Sequence, residues 1–272
     1  MTIGEKIAAA RKVHGLTQEK LANRLDVSFQ AVSAWERDEV LPETRNLMAL
    51  AKELEISLDD LLSGEEPPSW ELRSPTFSPE RMYTYVKARA QAHGLRQTLA
   101  ALPFMREKHA GQYRDGIAHI PYDVHPLTLA CHALAMGIVD DDVLAAALLH
   151  DVVEDTGTKP EELPVGDRVR EAVCLVSYNT YDGPKAKIKP VYYANIRKNP
   201  LAALVKCVDR CNNLSCMADG FTKSKMRTYV LQTEQYVLPL LDVIKEVPEY
   251  NNAAWILRYQ MISLLEMAKR LL

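Results

Sequence analysis

Helical periodicity runs through almost the whole chain and breaks at one place, "LSGEEPPSWELRSPTFSPE", residues 62–80. Pro67, Pro68, Pro75 and Pro79 fall within it. Proline removes a backbone donor and disfavours helix at its own position and the one before. A chain with such a strip predicts two helical parts joined by an extended connection: residues 1–64, a linker over 65–80, and residues 81–272. Neither flank carries runs of alternating β-branched residues, an Asn-Gly or Asp-Gly hairpin between apolar strands, or a repeat of fixed period. The expected fold class is therefore all-α.

Short helices account for residues 1–64. A helix from Ile3 to His14 ends at Gly15, a natural C-terminal stop. Thr17 can cap a helix through Leu25, and Ser28 the next, through Glu36. "ETRNLMALAKELEI" and "SLDDLL" complete a five-helix set. The second and third helices, separated only by a tight turn, have helix-turn-helix spacing, with Leu21, Ala22, Leu25, Val27, Val32 and Trp35 placed to pack them together. In "GLTQEKLANRLDVS", "VSAWERDEVLP" and "LAKELEISLDDLL" the segment resembles the Xre/Cro-type repressor domains. That resemblance implies a phosphate contact for Gln18 and base-edge contacts for Phe29, Gln30 and Ser33, with Gln30 suited to the N6 and N7 of adenine. The charge balance departs from that role. Residues 1–64 hold eight Lys/Arg against eleven Asp/Glu, and Ala34 stands where many relatives carry a basic side chain. Duplex binders depend on neutralising phosphates, so both DNA and a protein partner stay open for this domain.

The chain as a whole carries a formal charge of −3, which gives no overall basic field for membranes or nucleic acid. It has no apolar run of membrane-spanning length, and "MTIGEKIAAARK" lacks the apolar core of a signal peptide. The five cysteines, Cys131, Cys174, Cys207, Cys211 and Cys216, form no CxxC pair and sit mostly in apolar helical patterns. They read as buried thiols in a reducing cytoplasm, with a zinc site as the remote alternative.

The chemistry concentrates in "LLHDVVEDTG", residues 148–157. After the apolar run "VLAAALL" the same helix is expected to carry His150, Asp151, Glu154 and Asp155 on its next turn, with His150/Glu154 and Asp151/Asp155 as i,i+4 pairs. Three carboxylates that close repel unless a cation or water lies among them. Two further groups stand at comparable positions: His125 in "PYDVHPLTLA", just before an apolar helix, and Asp209 in "ALVKCVDRCNNL". Together His125, His150, Asp151 and Asp209 form a two-nitrogen, two-oxygen set able to hold a divalent metal with positions open for water. Manganese, iron, zinc or magnesium would serve on chemical grounds, with imidazoles weighing against magnesium.

Residues 105–240 resemble the HD-superfamily hydrolase domain of the RelA/SpoT enzymes and the small alarmone hydrolases, through "IPYDVHPLTLA", "DDVLAAALLHDVVEDT" and "NPLAALVKCVDRCNNL". The resemblance implies that His125, His150, Asp151 and Asp209 bind the metal, as Mn²⁺, and that Glu154 and Asp155 position and deprotonate the attacking water. It further implies that Asn213 bonds the ribose, and that Arg114 and Tyr122 contact the nucleotide. The reaction implied is removal of the 3′-diphosphate of guanosine tetra- or pentaphosphate. Before His125, "YRDGIAHIPYDVHP" is longer than the family's usual form and lacks its Lys-Ser pair, in the segment that reads the base. No stretch after Asn213 resembles the synthetase domain of the long enzymes, so degradation alone is expected. Two other readings remain: a transcription regulator that senses a nucleotide without catalysis, and a phosphatase acting on another nucleotide. Intact Glu154 and Asp155 argue against the first.

The stretch "YDGPKAKIKPVYYANIRKN" reads as a basic loop carrying Lys185, Lys187, Lys189 and Arg197 with Tyr192 and Tyr193. It is either a solvated loop or a lid that gathers phosphates, in which case Lys187 and Lys189 touch the substrate. Lys223 and Lys225 are weaker candidates of the same kind. The C-terminal amphipathic stretches "YVLQTEQYVLPLLDVIKEV" and "AAWILRYQMISLLEMAKRLL" would close the core or form a seam between copies in a homo-oligomer.

Overall fold

The structure, a computed structural model, describes residues 2–62, 78–114 and 120–272. Most of the expected linker lies outside these residues. Its last part does not: Pro79 takes the first position of a helix that runs to His93. A proline there loses nothing, because the first turn's N–H groups have no intrahelical acceptor. Every regular element among the described residues is helical, apart from one isolated bridge between Tyr113 and Pro121. The chain divides into two compact units, with Arg114, Ile120 and residues 217–226 grouped with the N-terminal one. Each unit is described by itself.

In the first unit α1 (Ile3–Val13), α2 (Gln18–Leu25), α3 (Phe29–Glu36), α4 (Thr44–Glu53) and α5 (Leu58–Leu62) enclose a core of Ile7, Leu21, Val32, Trp35, Leu50, Leu54 and Leu61. The caps are local. Thr2 and Glu5 form a capping box at α1, Thr17 accepts from the Lys20 N–H, and Ser28 accepts from the Ala31 N–H. Gly4 has a packing reason: a Cβ there would lie 2.4 Å from the Trp35 carbonyl oxygen. A largely buried ion pair joins α1 to α3, with Arg11 Nη2 2.9 Å from Glu36 Oε2, and the amide of Gln18 donates to the same oxygen at 2.8 Å.

The second unit is built around α9 (Asp141–Leu149), in which every residue from Val143 to Leu149 is buried. It packs against α7 (Arg96–Lys108), α8 (Val124–Ala135) and α11 (Asp167–Val176), while α6 (Pro79–His93) covers α7 and α8. An all-round apolar helix belongs in the middle of such a stack. Its first residue also works at a distance: Asp141 accepts the N–H groups of Gln97 and Thr98 at 3.0 and 2.8 Å, capping α7, whose own N-cap Leu95 has no acceptor.

After α9 come α10 (Val152–Thr156), α11, α12 (Lys185–Ile196), α13 (Pro200–Gly220) and α14 (Lys223–Gln232). Then α15 (Leu240–Lys245) packs on α16 (Asn251–Leu271). Here the expectation of a basic loop is corrected, since residues 185–196 are helical. Pro184 and Pro190 suggest a loop, yet Tyr192, Tyr193 and Ile196 are buried, and their tertiary packing outweighs the bond lost at Pro190. No helix among the described residues is long and apolar enough to cross a membrane.

Candidate metal centre and active site

The helix expected to carry His150 through Asp155 as one piece is broken. α9 stops at Leu149, Asp151 turns with φ −99° and ψ −8°, and α10 begins at Val152. On a regular helix neighbouring side chains diverge by about 100°. The break lets His150 and Asp151 aim at one point, with Nε2 and Oδ2 2.9 Å apart. His125, in the first turn of α8, brings its Nε2 within 3.2 Å of the His150 Nε2 and 3.4 Å of the same Asp151 oxygen. Asp209, in the middle of α13, places Oδ1 3.3 Å from the first imidazole and 3.9 Å from the second. Ligand atoms of His125, His150 and Asp151 all lie within 4.8 Å of one another. Both histidines and Asp209 are buried.

The hydrogen bonds behind the imidazoles decide which nitrogen faces the centre. His125 Nδ1 lies 2.7 Å from the side-chain oxygen of Asn212, and His150 Nδ1 2.9 Å from the carbonyl of Ala147. Both partners are acceptors, so Nδ1 carries the proton on each ring and the two Nε2 atoms meet as donors of electron pairs. Two lone pairs 3.2 Å apart beside two carboxylates call for positive charge between them, a proton or a metal ion. The pKa of His150 reflects the same demand. Burial pushes it down, but Asp151 and Asp209 draw positive charge onto the ring, and the balance lies above the ordinary value. Asp151 and Asp209 are both held well below the usual carboxylate range. Burial opposes this in each case; His150 and His125 outweigh it at Asp151, and the Lys206 ammonium with His125 at Asp209. The donor set, its protonation and its hydrogen-bonded backing all fit a divalent metal.

Two carboxylates flank the cluster. The Tyr122 hydroxyl lies 2.7 Å from Asp151 Oδ2 and 2.7 Å from Asp155 Oδ2, so its single proton serves one of them at a time. Asp155 stands on the exposed rim with its carboxyl turned toward Tyr122. Partial desolvation, joined by the charges of Asp151 and Glu154, raises its pKa, and the Tyr122 bond opposes the rise. Glu154 is held differently, accepting from the Tyr178 N–H at 2.8 Å and from Lys185 Nζ at 2.7 Å. The arrangement offers a metal-ligand group with two carboxylates beside it in different environments, one braced by a phenol and one by a cation.

The other expected contacts fare unevenly. Asn213 donates its amide to Asp209 Oδ1, and its neighbour Asn212 orients His125. The hydroxyl of Tyr122 serves the carboxylates. Lys187 is exposed on α12, and Lys189 is half-buried there, its pKa lowered by desolvation and by the charge of Arg210. The Arg114 N–H donates to the Ile120 carbonyl at 2.9 Å. In the first unit Phe29 and Gln30 are exposed on α3, the Ser33 hydroxyl accepts from Arg37, and Gln18 is tied to Glu36. Sequence reasoning passed over Lys206, which donates to Asp209 Oδ2 at 2.8 Å, and Arg210, buried against Tyr193, Thr233 and the face of Tyr229. A signal for Lys206 existed, since it precedes Asp209 by one helical turn inside an otherwise apolar run.

Comparison with known proteins finds relatives of two kinds. The helix-turn-helix family HTH_3 matches residues 7–61. The human guanosine-3′,5′-bis(diphosphate) 3′-pyrophosphohydrolase MESH1 is 34% identical over 163 residues, covering 56% of this chain and 89% of that protein. An enzyme of the same description from Aquifex aeolicus is 34% identical over 149 residues, but the chain spans only 20% of its length. A solved structure, described as a metazoan ortholog of SpoT that hydrolyzes ppGpp, superposes with a TM-score of 0.52 at 25% identity, covering 63% of this chain and 94% of that one. With a helix-turn-helix domain ahead of it, the chain belongs to the MESH1/SpoT-type family of guanosine-3′,5′-bis(diphosphate) 3′-pyrophosphohydrolases.

Proposed function

We propose that this protein removes the 3′-diphosphate of ppGpp, yielding GDP and pyrophosphate, with Mn²⁺ as its metal and the cytoplasm as its compartment. The observation that carries the reading is the convergence of His125, His150, Asp151 and Asp209 on one point with Asp155 bridged to it through Tyr122. Held by those four residues, a divalent ion supplies water activation and neutralises phosphate charge. Asp155, whose pKa is raised, takes the proton of the attacking water. Glu154, fixed by the Tyr178 N–H and Lys185, orients that water. Water adds to the phosphorus bonded to O3′, the P–O3′ bond breaks, and O3′ is protonated as pyrophosphate is released. Lys187 and Lys189 gather phosphate oxygens from α12, Arg114 clamps the nucleotide, and Asn213, once substrate is bound, reaches the ribose. Gln18, Phe29, Gln30 and Ser33 are the DNA contacts of the N-terminal unit.

The test is incubation of metal-stripped protein with ppGpp and Mn²⁺, scoring GDP and pyrophosphate with an EDTA control. Metal-dependent release of pyrophosphate is expected. No release from folded, metal-loaded protein overturns the reading. The absence of a Lys-Ser pair in "YRDGIAHIPYDVHP" favours one second reading, a different base or nucleotide. A panel of 3′- and 2′-phosphorylated nucleotides separates the two.

A further inference from the structure

Asp155 sits near the end of α10, a helix of five residues followed by Gly157 at φ 70°. So short a helix has little stability of its own, and what places this carboxylate comes from elsewhere. His109, at the C-terminal cap of α7, is 3% exposed. Its ring stacks on Tyr122, with centroids 4.5 Å apart and planes at 23°. Its Nδ1 lies 2.7 Å from the side-chain oxygen of Gln112, and its Nε2 is buried without a hydrogen-bond partner among the described residues. Gln112 extends the connection twice. Its carbonyl accepts the Tyr122 N–H at 3.0 Å, and its amide reaches the backbone carbonyl of Asp155 at 3.4 Å. The far edge of Tyr122 meets His125 at 82°, which leaves the phenol held between two imidazoles with its hydroxyl on Asp151 and Asp155.

We propose that His109, together with Gln112, is a positioning residue for the hydrolytic centre: it fixes the Tyr122 ring, and the Tyr122 hydroxyl in turn sets Asp155 against Asp151. The inference rests on the hydrolase reading above. It also assigns to Tyr122 a role toward the carboxylates in place of a contact with the nucleotide. A buried imidazole with an unsatisfied nitrogen is an expensive way to fill a core. Here it supplies a rigid flat surface that an aliphatic side chain would not.

The experiment is a double-mutant cycle on the full chain with His109→Ala, Tyr122→Phe and the pair, reading kcat and KM for ppGpp, calorimetric Mn²⁺ binding to the stripped protein, and thermal unfolding. Each single change is expected to lower kcat roughly 10- to 100-fold, as misplacement of a reacting group does, with KM and the Mn²⁺ isotherm nearly unchanged. The pair is expected to be no slower than Tyr122→Phe alone, because His109 acts through that hydroxyl. His109→Phe, which keeps a ring against Tyr122, recovers much of the rate, and His109→Leu does not. Losses that multiply in the pair overturn the proposal, as does a His109→Ala protein that is less stable but fully active, or one that loses Mn²⁺. If His109→Ala does not fold, the cycle is run with His109→Leu, which fills the space without a ring. Wild-type protein that releases no pyrophosphate overturns the hydrolase reading and this inference together. Active wild type with multiplying losses overturns this inference alone.

Discussion

The two units differ in what their polar residues mostly do, although the first also holds one largely buried ion pair, Arg11 with Glu36. In the N-terminal unit the caps bind N–H groups within three residues of themselves, as Thr2, Thr17 and Ser28 do. In the second unit the polar groups of the centre are mostly buried or half-buried, and several find partners far along the chain. His125 meets Asn212 at a separation of 87 residues, and Asp151 meets Tyr122 at 29. Local caps shape a helix at a cost in side-chain freedom alone. Buried charges cost several kcal/mol each unless every partner arrives, so the second unit holds its chemistry only when its whole tertiary structure is in place. Damage to the two units should therefore differ in kind.

Removing the metal site gives the largest expected effect. His150→Ala takes away one Nε2 and leaves His125 as the single imidazole beside Asp151 and Asp209, and Mn²⁺ binding by calorimetry and pyrophosphate release should both fall to background. Asp155→Asn is expected to lower kcat by roughly 10²- to 10⁴-fold, the usual contribution of a general base, with Mn²⁺ binding retained. An unaffected rate would remove Asp155 from proton transfer. Asn212→Ala frees the Nδ1 side of His125, and Mn²⁺ affinity should drop by roughly 10- to 100-fold, as second-layer changes around metals do. The smallest effect belongs to the other unit. Ser28→Ala deletes the cap of α3 and should cost about 1 kcal/mol in thermal unfolding with no change in hydrolysis. A change in kcat from that cap would break the comparison.

Much of this was legible along the chain. Caps, a glycine stop and apolar spacing located α1 through α5, because each of those signals acts within a few residues. His125, His150, Asp151 and Asp209 stood out because each adjoins an apolar helix where a polar group needs a partner. Residues 185–196 misled, since two prolines argue for a loop and only the burial of Tyr192, Tyr193 and Ile196 explains the helix. The break between α9 and α10 was equally hidden. Nothing in "LLHDVVEDTG" states that the helix turns at Asp151, and periodicity runs through it.

The sequence by itself determined the fold class, the five N-terminal helices and the identity of the four residues that meet at one point. Those depend on propensity, capping and the chemistry of side chains, which belong to the residues wherever they lie. Tertiary structure alone decided which nitrogen of His125 faces the centre and how Asp155 is tied to Tyr122. Each of those depends on a distance between groups far apart along the chain, and helix packing sets it.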